Sequence, residues 1–491
     1  MNNPTKLLID LSYSQQGNTG IQQELRNIFF LLAKDKRIDL SSFFYSIGSY
    51  IKEFSSFENK ENLDNASKVL FDSQILSLLI DGKGSYGSGQ LFSYILSKLQ
   101  QIFNIIFKNV YRLNSVDPSF KDVFYRKFLY QMLTYDQYKN LGEIKFYVTN
   151  LVENVMNYRT FISPSYVMPK LETKGFDVAL FQFESPLRVS KDTQKIVRHY
   201  DLIQMKSPDL VHNSYYRAYR QWSNIKANIK QKSIFVTISE TTKKELITNF
   251  PELENYTYTI PCVVSENFRR IVNYSLLPSS FNSLSLKYKQ SEKVIKWIKN
   301  LSKPELGQKY FFFLASIEPR KNIITLMKAF NEIKGNDKIK LVMAGSLGPY
   351  ANSETMKWFN KLIATGDLIF LENPATSDLN ILYSHASAFV FPSVKEGFGL
   401  PPVEAMRCGC PVISSDTEIH REVQEDASFY FKPYDYEALK SLLLLIINNS
   451  ESKEVIEKVN KGYLVADKYT LNKNMEKWYE LLNKIQNDKR K

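Results

Sequence analysis

Short β-rich runs alternate with amphipathic helical segments along most of this chain, and that alternation limits its fold more than any other feature. The runs "KLLIDLS", "VALFQF", "SIFVTIS", "YFFFLASI", "IKLVMAG", "SAFVFPS" and "PVISS" read as strands, and segments such as "IQQELRNIFFLLAKD" and "NIITLMKAFNEIK" have helical periodicity. Continuous apolar strands need cover on both faces, and intervening helices supply it, so the pattern specifies parallel sheets in an α/β protein. With 491 residues the chain exceeds one such core, at about 100–200 residues per domain.

The alternation breaks between about Pro261 and Lys309, in a polar stretch rich in Ser and Lys, and restarts at "YFFFLASIEPRKN". This spacing predicts a Rossmann-like domain over 1–270, a linker region over 271–308 and a second Rossmann-like domain over 309–470. A C-terminal helix over 471–491 is expected to pack back on the first domain. Two doubly wound sheets joined in this way face each other across a cleft, and ligands of open α/β sheets sit beyond the carboxyl ends of the strands. From about 50 to 173 the strand signal is weak, and "GQLFSYILSKLQQIFNIIFKNVYRLN", Gly89 to Asn114, has a helical pattern. The expectation there is a helical insertion into the first domain. Its Lys98, Lys108 and Arg112, without an acid, suit either internal packing of the insertion or contact with an anionic membrane.

A composition of 44% hydrophobic and 23% charged residues is that of a globular chain. The only cysteines, Cys262, Cys408 and Cys410, make no disulfide framework or zinc signature, which fits a reducing cytosol. No run of eighteen uncharged apolar residues and no signal-like leader stands in the sequence, so a cytoplasmic location is expected. The net charge of +13 attracts an anionic partner: nucleic acid, a phospholipid surface or a phosphorylated substrate. No nucleic-acid-binding module is recognisable, so nucleic acid is not expected.

The most informative stretch is "FPSVKEGFGLPPVEAMRCGCPVISSD", Phe391 to Asp416. It reads as strand, loop and helix, with Pro residues at the helix start and Gly409 as the stop. Gly397 and Gly399 let backbone N–H groups approach a ligand at the positive end of the helix, where an anion is favoured. Glu396 and Glu404 could both accept hydrogen bonds from hydroxyl groups of one bound molecule. Either glutamate alone is more simply a solvated carboxylate at a helix start; together with the glycine loop they describe a site for a nucleotide sugar. "ASIEPRKNIITL" presents Arg320 and Lys321 between a strand and a helix, a bidentate fork beside a compact charge, suited to a diphosphate. "VMAGSLG" ends its strand at Gly345, where a side chain would block close approach.

These three segments, in this order, resemble the donor-binding half of the retaining family-4 glycosyltransferases of GT-B fold, the bacterial surface-polysaccharide type. Glu396 and Glu404 match that family's paired-glutamate motif, and the likeness covers most of residues 309 to 450. It continues more weakly through "DLSYSQQGNTGIQQELRN", "VRHYDLIQMKSPDLV" and "SIFVTISETTKKEL". The resemblance implies transfer of mannose or another hexose or deoxyhexose from a nucleoside diphosphate to a saccharide or lipid-linked saccharide, with retention. By it, Arg320 and Lys321 neutralise the diphosphate, and Glu396 with the amides of Gly397, Phe398, Gly399 and Leu400 holds the transferred sugar. Glu404 takes the ribose, Gly345 lies at the donor, and Gly20 lets the first domain's loop close on the phosphates. No Asp-x-Asp occurs, so no metal or other cofactor is expected. Many relatives carry His where Tyr200 stands here. His199 is one residue off, on the opposite face of a strand, and receives no catalytic role. The alternatives are a sugar-nucleotide epimerase or phosphorylase of the same fold, and a basic nucleic-acid-binding protein.

Overall fold

The computed structural model describes residues 4–12, 20–46, 110–115, 139, 144–152, 168–211, 214–272, 309–334, 339–346, 353–372 and 374–490. The first half is built on strands β1 (Thr5–Asp10), β2 (Ile38–Ser46), β3 (Val110–Tyr111), β4 (Asn114–Ser115), β5 (Lys145–Val152), β6 (Lys170–Leu171), β7 (Val178–Gln182), β8 (Gln194–His199), β9 (Ile234–Thr237) and β10 (Thr257–Thr259). Eight of them form one sheet in the order β10-β9-β8-β7-β1-β2-β5-β4, parallel except for the β4–β5 pair, while β3 and β6 pair separately. Helices α1 (Gly20–Lys34), α2 (Ser214–Lys230) and α3 (Glu240–Asn249) belong to this half.

The second half carries β11 (Lys309–Leu314), β12 (Ile339–Gly345), β13 (Leu368–Glu372), β14 (Ala388–Phe391), β15 (Val412–Ser415) and β16 (Phe429–Phe431). All pair in parallel, in the order β13-β12-β11-β14-β15-β16. Its helices are α4 (Ile323–Ile333), α5 (Ser353–Ala364), α6 (Thr376–His385), α7 (Leu400–Arg407), α8 (Glu418–Gln424), α9 (Tyr436–Asn448) and α10 (Lys453–Asp467). Strand β11 shows why continuous apolar runs dictate this architecture. Phe311 and Phe313 join the core under α4 and α9, Phe312 points into the opposite core with Tyr383 and Phe389, and all three are fully buried.

The last helix, α11 (Leu471–Arg490), returns to the first half. Trp478, Leu481, Leu482 and Ile485 share a core with Leu7, Ile9, Leu25 and Phe29 of β1 and α1. The chain crosses between halves earlier than residue 270. Cys262, Val264 and Phe268 lie in a core cluster shared by second-half residues with Tyr200 and Ile238 of the first, and the Arg269 and Ile271 amides donate to Asn380 and Ser384 of α6. Their apolar side chains find cover there, which a break in alternation does not register.

The helical insertion is expected over about 50–173. Most of 50–173, including Gly89 to Asn109, lies outside the described residues, as does the linker from 273 to 308. Of the described residues there, Lys139 is helical, β3 and β4 fall at the end of the stretch read as helical, and β5 lies beside β2 in the main sheet. Phe146 and Val148 are buried while Lys145 is exposed, a two-residue period in a strand near the sheet edge. Its polar alternate residues weaken the run of apolar letters that marks a central strand. All three cysteines are buried and free. Among the described residues no helix is long and apolar enough to cross a membrane.

Candidate active site

In the second sheet the strand order reverses between β11 and β14, so the chain leaves these two neighbours in opposite lateral directions and a crevice opens at their carboxyl ends. The turn Pro319–Lys321 follows β11, and the loop Val394–Gly399 follows β14. The Val394 amide donates to the Arg320 carbonyl at 2.9 Å, tying the two together.

Arg320, Lys321 and Glu396 form one network there. Arg320 Nη1 donates to Glu396 Oε2 at 2.8 Å, and Lys321 Nζ donates to Glu396 Oε1 at 2.6 Å. Arg320 Nε also donates to Glu318 Oε2 at 2.8 Å. The Glu396 side chain is only 10% exposed. Burial pushes its carboxyl up, but Lys321 and Arg320 outweigh that and hold it down at about 2. Burial also opposes the Lys321 charge, and with the neighbouring Arg320 it lowers that ammonium's pKa. Asp201 is near enough to be stabilised by Arg320, although burial raises its pKa overall.

Glu404 has a different environment. Helix α7 begins at Leu400, ahead of the Pro pair, which puts Glu404 in the second turn. It is 3% exposed, and both carboxylate oxygens are engaged: Oε1 accepts from Gln23 Nε2 at 3.1 Å, and Oε2 accepts from Tyr383 OH at 3.0 Å. Burial raises its pKa to about 7 despite those two donors. The two glutamates of one motif are therefore opposite in character, one held well below the usual carboxylate range by its cations and one raised to about 7 by burial.

The predicted glycines have distinct surroundings. A Cβ on Gly397 would lie 2.2 Å from the Tyr200 carbonyl oxygen, and one on Gly345 would lie 2.0 Å from the Ala315 carbonyl oxygen, with φ at +142°. Both positions need glycine for backbone approach within the protein. Gly399 is the N-cap of α7, with φ of +88°, and buried Phe398 meets Tyr469 edge-on. Gly20 opens α1 opposite Leu400, whose Cδ1 is 3.8 Å from where a Gly20 Cβ would be, so two helix starts face each other across the cleft. The Gly397 carbonyl accepts from Ser239 Oγ at 2.9 Å and Thr242 Oγ1 at 3.2 Å, both from the first half.

His199 lies on the face of β8 that meets Phe235 of β9 edge-on, paired through Nδ1 with Glu184. Arg198 and Tyr200 point the other way, to Glu24 of α1. Sequence reasoning missed Gln23, Tyr383 and Glu318. Gln23 lies three residues after Gly20 on the same helical face, a usable signal; Tyr383 reaches Glu404 only through tertiary packing. Among the described residues no three His, Cys, Asp or Glu side chains gather as metal ligands.

Comparison with known proteins adds an independent observation. Residues 295–463 match the family model described as glycosyl transferases group 1. This stretch is similar to that family. Over 150 residues the chain is 31% identical to O-antigen chain mannosyltransferase B of Escherichia coli, and over 158 residues 33% identical to O-antigen chain mannosyltransferase RfbU of Salmonella typhimurium. These matches cover 30% and 31% of this chain and 39% and 44% of the relatives, so the chain spans less than half the length of either. Among solved structures, sucrose-phosphate synthase from Thermosynechococcus elongatus shares 13% identity with a TM-score of 0.55, over 99% of this chain and 100% of that one. Anabaena HepE in complex with UDP-glucose shares 12% with a TM-score of 0.54, over 98% and 99%. The fold is GT-B, and the stretch that matches the group 1 model lies in its second half and contains the Arg320–Lys321–Glu396 network.

Proposed function

We propose that the protein is a retaining glycosyltransferase that moves mannose, or another hexose or deoxyhexose, from a nucleoside diphosphate to a saccharide or lipid-linked saccharide in surface polysaccharide or lipopolysaccharide synthesis. The observation that carries this reading is the convergence of Arg320 and Lys321 on Glu396 at the strand ends of the cleft, 2.8 and 2.6 Å away. With a donor bound, the two cations also face the diphosphate oxygens while staying beside Glu396, whose ionised carboxylate keeps acceptor capacity for hydroxyl groups of the sugar. The names of the O-antigen relatives favour mannose.

Charge develops on the diphosphate as the anomeric C–O bond breaks and its electron pair leaves with the phosphate. A positioned guanidinium and ammonium stabilise that charge without reorganisation. The acceptor oxygen bonds to the anomeric carbon on the same face, and its proton passes to a phosphate oxygen. Because Arg320 and Lys321 supply the cationic charge, the reaction runs without a metal. The reading also puts the enzyme in the cytoplasm, in peripheral contact with an anionic membrane surface where a lipid-linked acceptor would lie, with no role for nucleic acid; the net charge of +13 suits that surface.

The test is a panel of UDP-, GDP- and dTDP-sugars. A true donor raises the unfolding temperature by mass action and is slowly hydrolysed without acceptor. A panel in which no nucleotide sugar stabilises the wild-type protein defeats the proposal.

A further inference from the structure

Next to Glu396 the cleft widens into a cavity of about 330 Å³ whose walls come from both halves. That volume is near the lower end of small-molecule sites, about 300–1,000 Å³. The first half contributes Lys206, Thr241, Lys244 and Glu245, and the second contributes Lys395 and Thr417. Val394 and Ile419 add an apolar patch. Hydroxyl and charged groups around a small apolar surface suit a sugar ring, which presents polar edges and a C–H face. Glu396 is itself part of the lining, so an occupant lies against the carboxylate given above to the transferred sugar.

The charge of this wall is uneven. Glu245 is the carboxylate partner of two ammonium groups, Lys206 Nζ at 4.0 Å from its own half and Lys395 Nζ at 3.5 Å from the other. Both separations exceed the roughly 2.7–2.9 Å of a charge-assisted hydrogen bond. Neither lysine therefore spends a short bond on Glu245, and one carboxylate between two cations leaves about one positive charge over. Lys244 does not change the balance, because its partner Glu418, 2.9 Å away, is 65% exposed and the pair is screened by solvent. Glu396 adds no attraction for cations, since Arg320 and Lys321 already cover it.

Resting on the glycosyltransferase reading, we propose that this cavity is the acceptor subsite, and that it takes a saccharide bearing an anionic group, a phosphate or a carboxylate, gripped between Lys206 and Lys395. The two lysines belong to opposite halves, so the anion bridges the cleft while the sugar's hydroxyl group reaches the anomeric carbon beside Glu396. The uneven charge gives acceptor selectivity that the donor site does not need.

The test uses the full chain, saturated with whichever of GDP, UDP or dTDP stabilises it, and titrates mannose 6-phosphate, glucuronate, methyl α-mannoside and inorganic phosphate by NMR. At least one of the anionic sugars is expected to bind tenfold or more tightly than methyl α-mannoside and more tightly than inorganic phosphate. The sugar phosphate and the uronate tell the two anion types apart. Lys206→Met with Lys395→Met should abolish that preference while nucleotide affinity stays within about twofold. A neutral glycoside that binds as well as the anionic sugars, or a preference kept by the double variant, overturns the acceptor assignment and leaves the enzyme reading standing. Inorganic phosphate binding as tightly as mannose 6-phosphate overturns the saccharide part. Failure of every nucleotide to bind the wild type, a step neither lysine takes part in, brings down both.

Discussion

Gln23 Nε2 donates to Glu404 Oε1 at 3.1 Å, joining α1 of the first half to α7 of the second across the cleft. Under the proposed function the ribose hydroxyls donate to that same carboxylate, so Gln23 occupies their place until a nucleotide arrives. Binding then has to break one hydrogen bond worth about 0.5–1.5 kcal/mol net. Gln23→Ala should therefore bind nucleoside diphosphate roughly 2–10-fold more tightly in isothermal titration. Weaker binding would show instead that Gln23 touches the ligand.

Glu404 also predicts two opposite pH slopes. Its folded pKa of about 7 lies above its ordinary value of 4.5, so the folded chain keeps a proton that the unfolded chain has lost between those values. Stability from this group is present at low pH and falls as pH rises from about 4.5 to 7, by roughly 3 kcal/mol in all. Nucleotide affinity should move the other way, because the ionised carboxylate is the better acceptor for ribose hydroxyls. Glu396, held at about 2, adds no slope near neutrality. Urea unfolding and nucleotide titration at pH 5.5 and 8 check both trends, and Glu404→Gln should flatten them.

Arg320 and Lys321 carry the prediction for the chemistry. Arg320→Ala removes a charge-assisted contact worth about 1.5–3 kcal/mol, which lowers kcat/KM roughly 10–150-fold. Lys321→Ala should act alike, since its ammonium is 2.6 Å from the same carboxylate. EDTA should leave turnover of the wild type unchanged. Loss of turnover on chelation, restored by magnesium or manganese, would refute the role given to these two cations.

How much of this could be read from residues alone follows a physical rule. Strands such as β11 and β14 were legible because a strand buried on both faces must be apolar throughout. Arg320, Lys321 and Glu396 were legible as candidates because their loops follow such strands, and the reversal of strand order brings those loops together. Strand β5 was not, since "KFYVTNLV" alternates and lies far from its partners in sequence. Nor could the sequence reveal that Glu404 is buried under Gln23 and Tyr383, 381 and 21 residues away, because burial is a property of packing. The role of Gly397 was half legible: glycine implies close approach, but the approaching group is the Tyr200 backbone.

That contact predicts a strong effect from one methyl group. In Gly397→Ala the new Cβ would stand 2.2 Å from the Tyr200 carbonyl oxygen, a backbone atom that cannot rotate aside as Ile238 Cδ1, at 2.9 Å, can. The halves must part, stretching the bonds from Ser239 and Thr242 to the Gly397 carbonyl. A cost of about 1–3 kcal/mol is expected, as for overpacked cores, with a larger loss of turnover because both halves must meet at the sugar. Thermal unfolding with small-angle scattering checks this; an unchanged radius of gyration with full activity would count against it.

Trp478 fixes the last helix to the first half. Its side chain is 1% exposed in the core shared by α1 and β1, and the Arg198 guanidinium lies 5.8 Å from its ring. Arg198 is fully buried and pairs with Glu24 at 2.7 Å, while its Nη1 donates to the Ile260 carbonyl at 2.6 Å. Removing the indole leaves a cavity beside a buried ion pair, so Trp478→Ala should cost about 3–5 kcal/mol. Helix α11 follows directly on α10, which packs on α7 of the second half, so the same change loosens the covalent clamp between the halves. Chemical denaturation should then show the first half unfolding ahead of the second, in two transitions, with nucleotide still bound at the first midpoint. A single transition shifted by less than about 1 kcal/mol would mean that α11 adds little to the first half's core.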